Sequence, residues 1–195
     1  NTVISNNSTN VPSGNKKLII GSNDAKVTLV EYGDFKCPLC TKFSQTTEKQ
    51  IRKEFVDSGK INIEYKTLPI IAADSKVAAE AAYCANDQQK FTEFHDALYS
   101  YMWNTYYKNG DYSIEGKNLF TQQKLSEIIS GAGIDGSKIS QCLEDGTNKS
   151  LVEADVQSAN TLGISGTPTF LIGSQKISGS QPFSIFKPLI DSKLK

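Results

Sequence analysis

The stretch KVTLVEYGDFKCPLCTKF (residues 26–43) joins an apolar run to two cysteines that are separated by two residues. The run KVTLVEY (26–32) is rich in β-branched residues and predicts a buried strand. After Cys37 the apolar positions recur every four residues, which predicts one helix that ends near Gly59. The buried face of this helix is expected to consist of Phe43, Thr47, Ile51 and Phe55. The cysteine pair therefore falls where a strand gives way to a helix.

This position gives the two thiols different chemistry. Pro38 suits the first helical position, because its missing N–H removes no hydrogen bond there. The unpaired N–H groups of the first turn, together with the helix dipole, favour a thiolate at Cys37. Cys40 lies one turn further on, close enough to form a short disulfide. We expect an exposed, activated thiol at Cys37 and a resolving thiol at Cys40, as thiol–disulfide exchange requires.

Two other interpretations of this Cys-x-x-Cys pair stay open. It can be half of a zinc site, but the remaining cysteines, Cys84 and Cys142, are isolated, and His95 is the only histidine. It can also be an inert structural disulfide, although the strand-to-helix position is more specific than the spacing alone. We expect no metal at this pair.

The rest of the chain adds strands on either side of a helical region. INIEYKTL (61–68) alternates apolar and polar residues and predicts a second strand. TFLIG (169–173) and QKISG (175–179) predict a β-hairpin, and residues 181–194 a final helix. Pro188 does not suit the interior of that helix, so we expect a kink or a later start there.

The element order is β-α-β, a mostly helical segment, then β-β-α, which indicates an α/β fold. A small mixed sheet is expected from residues 17–72 and 164–195, with a helical insertion over residues 73–163. Strands joined by the first helix are expected to be parallel, with a right-handed crossover. Residues 1–16 are polar and turn-forming and predict a disordered tether.

Composition excludes several function classes. The 21 basic and 21 acidic residues of this 195-residue chain give a formal net charge of zero, so nothing global draws it to nucleic acid or to an anionic membrane surface. No apolar run is long enough to span a bilayer. The polar start without Met suggests the hypothesis that a signal or membrane anchor has been removed from a precursor.

Three segments together resemble a known family: LVEYGDFKCPLC (29–40), AAYCANDQQKFTEFHDALY (81–99) and GTPTF (166–170). They look like the DsbA-like thioredoxin-fold oxidoreductases, and most of all the branch that includes the BdbD-type proteins of Gram-positive envelopes. The resemblance covers roughly residues 17–195. It implies a thioredoxin fold, with Cys37 as the attacking cysteine and Cys40 as the resolving one.

The resemblance also implies a function. The expected enzyme is an extracytoplasmic thiol:disulfide oxidoreductase of the periplasm or cell envelope. The favoured direction is oxidation, in which the enzyme introduces disulfides into reduced or unfolded secreted proteins. A DsbB-like membrane quinone reductase is the implied reoxidant. No cofactor is expected besides the Cys37–Cys40 disulfide. No extra dimerisation domain is visible, which favours a monomer. The alternatives are a reductase or isomerase, or a non-catalytic peptide- or metal-binding thioredoxin-like module.

Glu31 is an acid inside the predicted buried strand. It can be a strand-end carboxylate that reaches solvent, or a desolvated acid with a raised pKa that exchanges a proton with Cys40. The family has an acid at the matching position, which favours the second interpretation. In GTPTF, the family places a cis-proline opposite the Cys-x-x-Cys. The residues expected to contact substrate are Pro38, Leu39, Thr167 and Pro168.

Other residues carry weaker predictions. Cys84 and Cys142 can be two free buried cysteines, but the resemblance implies a structural disulfide between them. His95 is expected to be a core or boundary residue, and Lys36 and Lys42 to be solvated.

Strong oxidants of the family commonly have a histidine in place of Leu39, so we expect a lowered but less extreme pKa for Cys37. The segment NGDYSIEG (109–116) is a weak candidate for calcium.

Overall fold

The computed structural model describes residues 16–195. The predicted tether over residues 1–16 therefore lies outside the described residues, apart from Lys16. The Lys16 ammonium donates a hydrogen bond to the Asn148 side chain over 2.9 Å and pairs with Asp87. No helix in residues 16–195 is both long and apolar enough to cross a membrane.

Five strands of the described chain form one mixed sheet in the order β1-β3-β2-β4-β5. β2 and β3 are parallel, and the other three pairs are antiparallel. The strand bounds are β1 Leu18–Ile20, β2 Val27–Gly33, β3 Ile61–Thr67, β4 Thr169–Ile172 and β5 Gln175–Ser178. The predicted β-α-β and β-β-α units are present. β1 is an additional edge strand, which the sequence analysis missed because three residues are too short to show an alternation.

The helix after Cys37 is not continuous. It consists of α1 (Pro38–Gln45), α2 (Thr47–Ile51) and a π-helical turn (Arg52–Val56). The interruption lies at Thr46, whose φ is −124° and whose hydroxyl donates to the Lys42 carbonyl over 2.7 Å. This side chain thus competes with the helical backbone pattern. The predicted apolar face is nevertheless buried at all four positions.

The chain between β3 and β4 contains five α-helices and a short 3-10 helix (Tyr107–Asn109), in the region predicted as the insertion. The α-helices are α3 Ser75–Asp87, α4 Phe91–Thr105, α5 Gln122–Ile129, α6 Gly136–Asp145 and α7 Lys149–Thr161. The last helix, α8 (Phe183–Lys193), begins directly after Pro182 and continues through Pro188, so a start at Pro188 is wrong.

Helices cover both faces of the sheet. On one face, Phe43 of α1 packs on Phe170 of β4 and Phe186 of α8, with ring centroids 4.3 and 5.4 Å away. On the other face, the Tyr32 hydroxyl lies 2.7 Å from the Ser158 hydroxyl of α7. One hydrophobic cluster runs from the sheet through α1 into the helices of the insertion. The strand-to-helix junction with the two cysteines is therefore enclosed by both parts of the chain.

Candidate active site

Cys37 caps the N-terminus of α1. Its backbone is extended (φ −73°, ψ 124°), its Sγ accepts a hydrogen bond from the Cys40 N–H over 3.4 Å, and Pro38 occupies the first helical position. The Cys37 N–H donates to the Asp34 carbonyl over 2.9 Å, which closes the turn between β2 and α1. The cysteine sulfur thus acts as the acceptor that the first turn of a helix needs.

The Cys37 thiol is less accessible than the sequence analysis expected. Cys37 is only 3% exposed and Cys40 is fully buried, so the expectation of an exposed thiol at Cys37 is wrong. The covering segment is the turn before β4, where the Cys37 Sγ donates to the Thr167 carbonyl over 3.4 Å. Leu39, in contrast, is about half exposed (49%) and marks the open side of the junction.

The turn that covers Cys37 contains a cis peptide bond between Thr167 and Pro168. Pro168 is buried, Thr167 is half-buried, and β4 begins at the next residue. The structure thereby brings Thr167 against Cys37, although 130 residues separate them in sequence. The roles predicted for Pro38, Leu39, Thr167 and Pro168 in substrate binding stay predictions.

The two thiols differ strongly in acidity. The hydrogen bond from the Cys40 thiol lowers the pKa of Cys37 to about 7, against the effect of burial, and the hydrogen bond from the Cys40 N–H adds to the lowering. Burial raises the pKa of Cys40 well above its ordinary value, and the neighbouring Cys37 raises it further. Near neutral pH, Cys37 is therefore present in large part as a thiolate, while Cys40 keeps its proton.

We expect the Cys37 thiolate absorbance of the reduced protein to titrate with a midpoint near pH 7, and Cys40→Ala to move that midpoint upward, since it removes the hydrogen bond that lowers the pKa. A lowered pKa in the folded state stabilises the reduced protein at pH values above the unfolded thiol pKa. This stabilisation is lost as the pH falls through about 7. A midpoint that is the same in both proteins would contradict the assigned cause.

Glu31 lies on the central strand β2, between Tyr65 of β3 and Phe170 of β4. It is fully buried, so the interpretation of a carboxylate that reaches solvent is wrong. Neither carboxylate oxygen has a hydrogen-bond partner among residues 16–195. Burial raises the pKa of Glu31 well above its ordinary value, and the negative charge of Glu48 adds to this. The negative charge of Glu31 in turn contributes to the raised pKa of Cys40.

Lys36 directly precedes Cys37. The expectation that Lys36 is solvated is wrong. Lys36 is fully buried, and its ammonium donates to Asp74 Oδ1 over 2.7 Å and to the Lys117 carbonyl. The second oxygen of Asp74 accepts the N–H groups of Leu119 and Phe120 over 2.6 and 2.9 Å. A buried ion pair therefore ties the segment before Cys37 to two loops of the insertion.

Asp34 holds the other side of this turn. Its carboxylate accepts the Lys36 N–H over 2.8 Å and the N–H groups of Ile70 and Ile71 over 2.9 Å each. The Tyr107 hydroxyl donates to the Lys36 carbonyl over 2.5 Å. Sequence reasoning missed these residues because a lysine beside a reactive cysteine looks like a surface residue, and its partners lie far along the chain.

A cluster of polar side chains from α2, the π-helical turn and α4 lies beneath the surface; it consists of Glu48, Arg52, His95 and Asp96. Glu48 pairs with Arg52, and Arg52 forms a bidentate pair with Asp96 at 2.9 Å on both oxygens. His95 is fully buried, as expected for a core residue, and contacts all three. Ligand-type atoms of Glu48, His95 and Asp96 lie within 4.8 Å of one another. The Arg52 guanidinium contacts each of them, so this cluster already contains its cation.

Cys84 of α3 and Cys142 of α6 form a disulfide, 58 residues apart in sequence. The structure therefore has the pairing that the family resemblance implied rather than two free cysteines. In the weak calcium candidate, the Asp111 carboxylate accepts the Ser113 N–H over 2.9 Å. Calcium at this segment stays the minor alternative to the expectation of no metal.

Comparisons with known proteins agree on one family. The family model described as thioredoxin matches residues 13–192. Disulfide bond formation protein D of Bacillus subtilis is 27% identical over 187 residues, which cover 94% of this chain and 80% of that protein. The crystal structure of oxidised BdbD from Bacillus subtilis superposes with a TM-score of 0.78 and 25% identity, covering 92% and 93% of the two chains. Wolbachia pipientis alpha-DsbA1, at 22% identity and a TM-score of 0.74 over 92% of both chains, shares the fold.

Proposed function

The chain belongs to the thioredoxin family as a DsbA-like thiol:disulfide oxidoreductase, and we propose that it works in the oxidising direction through Cys37-Pro38-Leu39-Cys40. The difference in acidity between Cys37, at the start of α1, and the buried Cys40 supports thiol–disulfide exchange at this pair. The observation that carries the oxidising direction is the similarity, over 94% of this chain, to disulfide bond formation protein D of Bacillus subtilis. A stabilised Cys37 thiolate favours the reduced form of the enzyme, and this makes its disulfide a stronger oxidant. Membership of this enzyme family removes the alternative of a non-catalytic binding module.

The proposed cycle has two exchange steps. A substrate thiolate attacks Cys37 Sγ, the Cys37–Cys40 bond breaks, and Cys40 leaves with the electron pair and takes up a proton. A second substrate thiolate then attacks the substrate sulfur of the mixed disulfide, which forms the substrate disulfide and releases Cys37 as a thiolate. Because the Cys37 pKa is about 7, this thiolate is a good leaving group at neutral pH.

The turn before β4 suits a peptide substrate. Pro168 has no N–H, and the Thr167 backbone lies beside Cys37, where an extended peptide can add by backbone pairing. The half-exposed Leu39 supplies an apolar contact on the opposite side. We propose that a bound peptide takes the place of the Cys37–Thr167 contact and positions its own sulfur at Cys37.

Glu31 is proposed as the group that gives Cys40 its proton and later removes it. We expect Glu31→Gln to slow exchange about tenfold to a hundredfold near neutral pH, because a glutamine cannot transfer the proton. The fold should tolerate this change, since it keeps the shape of a buried group whose raised pKa already favours the neutral form. Single-turnover rates between pH 5 and 9 check this, and rates equal to those of the parent at every pH would contradict it.

The direction of catalysis is tested by the reduction potential of the Cys37–Cys40 pair against glutathione. An oxidase should lie towards about −120 mV and a reductase towards about −270 mV. One observation favours the reductase or isomerase alternative: a Cys37 pKa of about 7 matches thioredoxin rather than the strongest oxidants. A potential below about −250 mV, with no oxidation of a dithiol peptide, would overturn the oxidase proposal.

The cellular context follows from the proposed direction. We propose reduced secreted or envelope proteins as substrates, an extracytoplasmic location, and a DsbB-like membrane quinone reductase as reoxidant. The Cys84–Cys142 disulfide supports an oxidising compartment. We further propose that the enzyme acts as a monomer and needs no cofactor besides its own disulfide.

A further inference from the structure

A groove lies between α3, α7 and the loop that follows β3, and none of the exchange steps described above uses it. Its volume of about 440 Å³ lies within the range of about 300–1,000 Å³ that is usual for ligand pockets. Its apolar floor consists of Pro69, Ile70, Val152 and Val156. Ile70 is about half exposed (48%). A lone exposed isoleucine is ordinary, but one that lines a concave apolar site is typical of a surface that binds another molecule.

Ile70 joins this α3–α7 groove to the turn before Cys37. The Ile70 N–H donates to Asp34 Oδ2 over 2.9 Å, and the Asp34 carbonyl accepts the Cys37 N–H over 2.9 Å. The same aspartate therefore holds the reactive cysteine and the edge of the groove. An extended peptide advances about 3.3 Å per residue, so about three or four residues cover the span of these two hydrogen bonds and one aspartate. A peptide bound at Cys37 thus reaches the groove with a residue close to its reacting cysteine.

The walls of the α3–α7 groove are fixed to the sheet. Asp155 of α7 accepts the Tyr83 hydroxyl of α3 over 2.6 Å and the Thr67 N–H of β3 over 2.9 Å. Val156 of α7 packs against the buried cluster that contains Leu68. These contacts connect both helices to β3, so the groove is formed before a ligand arrives. A preformed site loses less conformational entropy when it binds.

The charged side chains around the α3–α7 groove balance each other. Two lysines and two glutamates line it, and each helix supplies one of each: Lys76 and Glu80 from α3, and Lys149 and Glu153 from α7. Within the described part of the chain, the lining therefore carries no net charge that would select an anionic or a cationic ligand. The floor offers apolar contact instead, which favours a large aliphatic or aromatic side chain.

We propose that the α3–α7 groove binds a large apolar side chain of the reduced substrate, about three or four residues from the cysteine that reacts with Cys37. This inference rests on the proposed action on reduced secreted proteins and adds a second contact that selects unfolded ones. An unfolded chain exposes apolar side chains that a folded chain buries. The groove therefore distinguishes the two, and a product that folds withdraws the side chain that retained it.

The size of the α3–α7 groove favours a peptide segment over a second copy of this chain. A stable interface between two proteins buries about 1,200–2,000 Å² of surface and contains several apolar anchors. Among the described residues of the lining, Ile70 is the one large apolar side chain that is well exposed, and Val152 is only 6% exposed. A single accessible anchor suits one side chain of a flexible peptide.

The test uses two dithiol peptides that differ at one position near the reacting cysteine, with leucine in the first and serine in the second. Single-turnover oxidation gives a maximal rate and a half-saturating concentration for each peptide. We expect the half-saturating concentration of the leucine peptide to be about tenfold lower, because the groove removes the leucine from water. Ile70→Ser should reduce this difference to less than about twofold. The change should appear in the half-saturating concentration and not in the maximal rate, because the groove holds the peptide away from the reacting sulfurs.

Ile185→Ser is the matched control. Ile185 is exposed to a similar extent (44%) but lies on α8, outside the α3–α7 groove, so this variant should keep the parental difference between the peptides. A merely structural role of Ile70 would change the free energy of unfolding and affect both peptides equally. Ile70→Val keeps a smaller apolar side chain and should give an intermediate difference, which tests the proposal even if Ile70→Ser fails to fold.

Binding to Cys37→Ser separates the α3–α7 groove from the oxidase proposal. This variant cannot exchange disulfides, yet the leucine peptide should shift the backbone NMR signals of Ile70 and Val156 more than the serine peptide does. Such shifts, with no oxidation of either peptide by the parent, would overturn the oxidising function and leave the groove intact. Oxidation of both peptides with equal constants would overturn the groove alone. A parental dimer that Ile70→Ser converts to a monomer would also overturn it, because a second copy then occupies the groove.

Discussion

Cys37→Ser is expected to abolish disulfide exchange, with a loss of at least about a thousandfold in rate. The hydroxyl of serine remains protonated at pH 7 and cannot form a disulfide with a substrate. The loss should not come from unfolding, because the replacement keeps the size of the side chain and an oxygen that can accept the Cys40 N–H at the start of α1. Stopped-flow oxidation of a dithiol peptide measures the rate, and denaturant unfolding of both reduced proteins checks the fold.

Cys40→Ser is the matched control for this variant. It leaves Cys37 in place, so the protein should still form a mixed disulfide with a peptide that carries an activated disulfide, and this adduct should accumulate because the resolving thiol is absent. Mass spectrometry after acid quenching detects the adduct. Exchange by Cys37→Ser at the parental rate, or an adduct located on Cys40 in the parent, would contradict the assignment of Cys37 as the attacking cysteine.

The sequence was sufficient to predict the features that depend on neighbours along the chain. The apolar run before Cys37 and the Gly-Ser turn of the hairpin each determine a local element that is present. The four-residue periodicity after Cys37 predicts the buried face correctly, but the single helix it predicts is divided at Thr46. The thioredoxin-type α/β fold with its helical insertion is confirmed. The place of Cys37 at the start of α1 follows from the same local pattern.

The contacts that sequence reasoning missed join residues far apart in the chain. Cys37 contacts Thr167, 130 residues away, and a strand-to-helix pattern contains no information about which turn lies against the cysteine. The break at Thr46 comes from a single hydroxyl that competes with the helical backbone. His95 was correctly placed in the core, but its acidic neighbours come from another helix and from the exposed side of its own.

Lys36 shows most clearly why the site was only partly predictable. A lone lysine normally lies at the surface, because burying its charge is unfavourable without a partner. Here that partner is Asp74, 38 residues later, which also accepts two backbone N–H groups from the loop before α5. The ion pair therefore supports the insertion and the turn before Cys37 at the same time.

This arrangement predicts that Asp74→Ala is strongly destabilising. The variant leaves the buried Lys36 ammonium without its counter-charge and two backbone N–H groups without their acceptor. Removing one partner of a buried ion pair costs about 3–5 kcal/mol, so we expect a loss of that size in the free energy of unfolding. Denaturant titration of the oxidised protein measures it, and Asp57→Ala, at an exposed position, should change the value by less than about 0.5 kcal/mol.

The double variant Lys36→Met with Asp74→Leu separates the unpaired charge from the lost packing. Removing both charges should recover much of the stability that Asp74→Ala loses, because no buried ion is then left without a partner. The ion pair also predicts a pH dependence: the hydrogen bond from Lys36 and the two N–H groups lower the pKa of Asp74 despite burial. Its contribution is therefore present above the unfolded aspartate pKa of about 3.9 and lost as the pH falls through the lower folded value. A single variant as stable as the parent would mean that the turn before Cys37 is held without this ion pair.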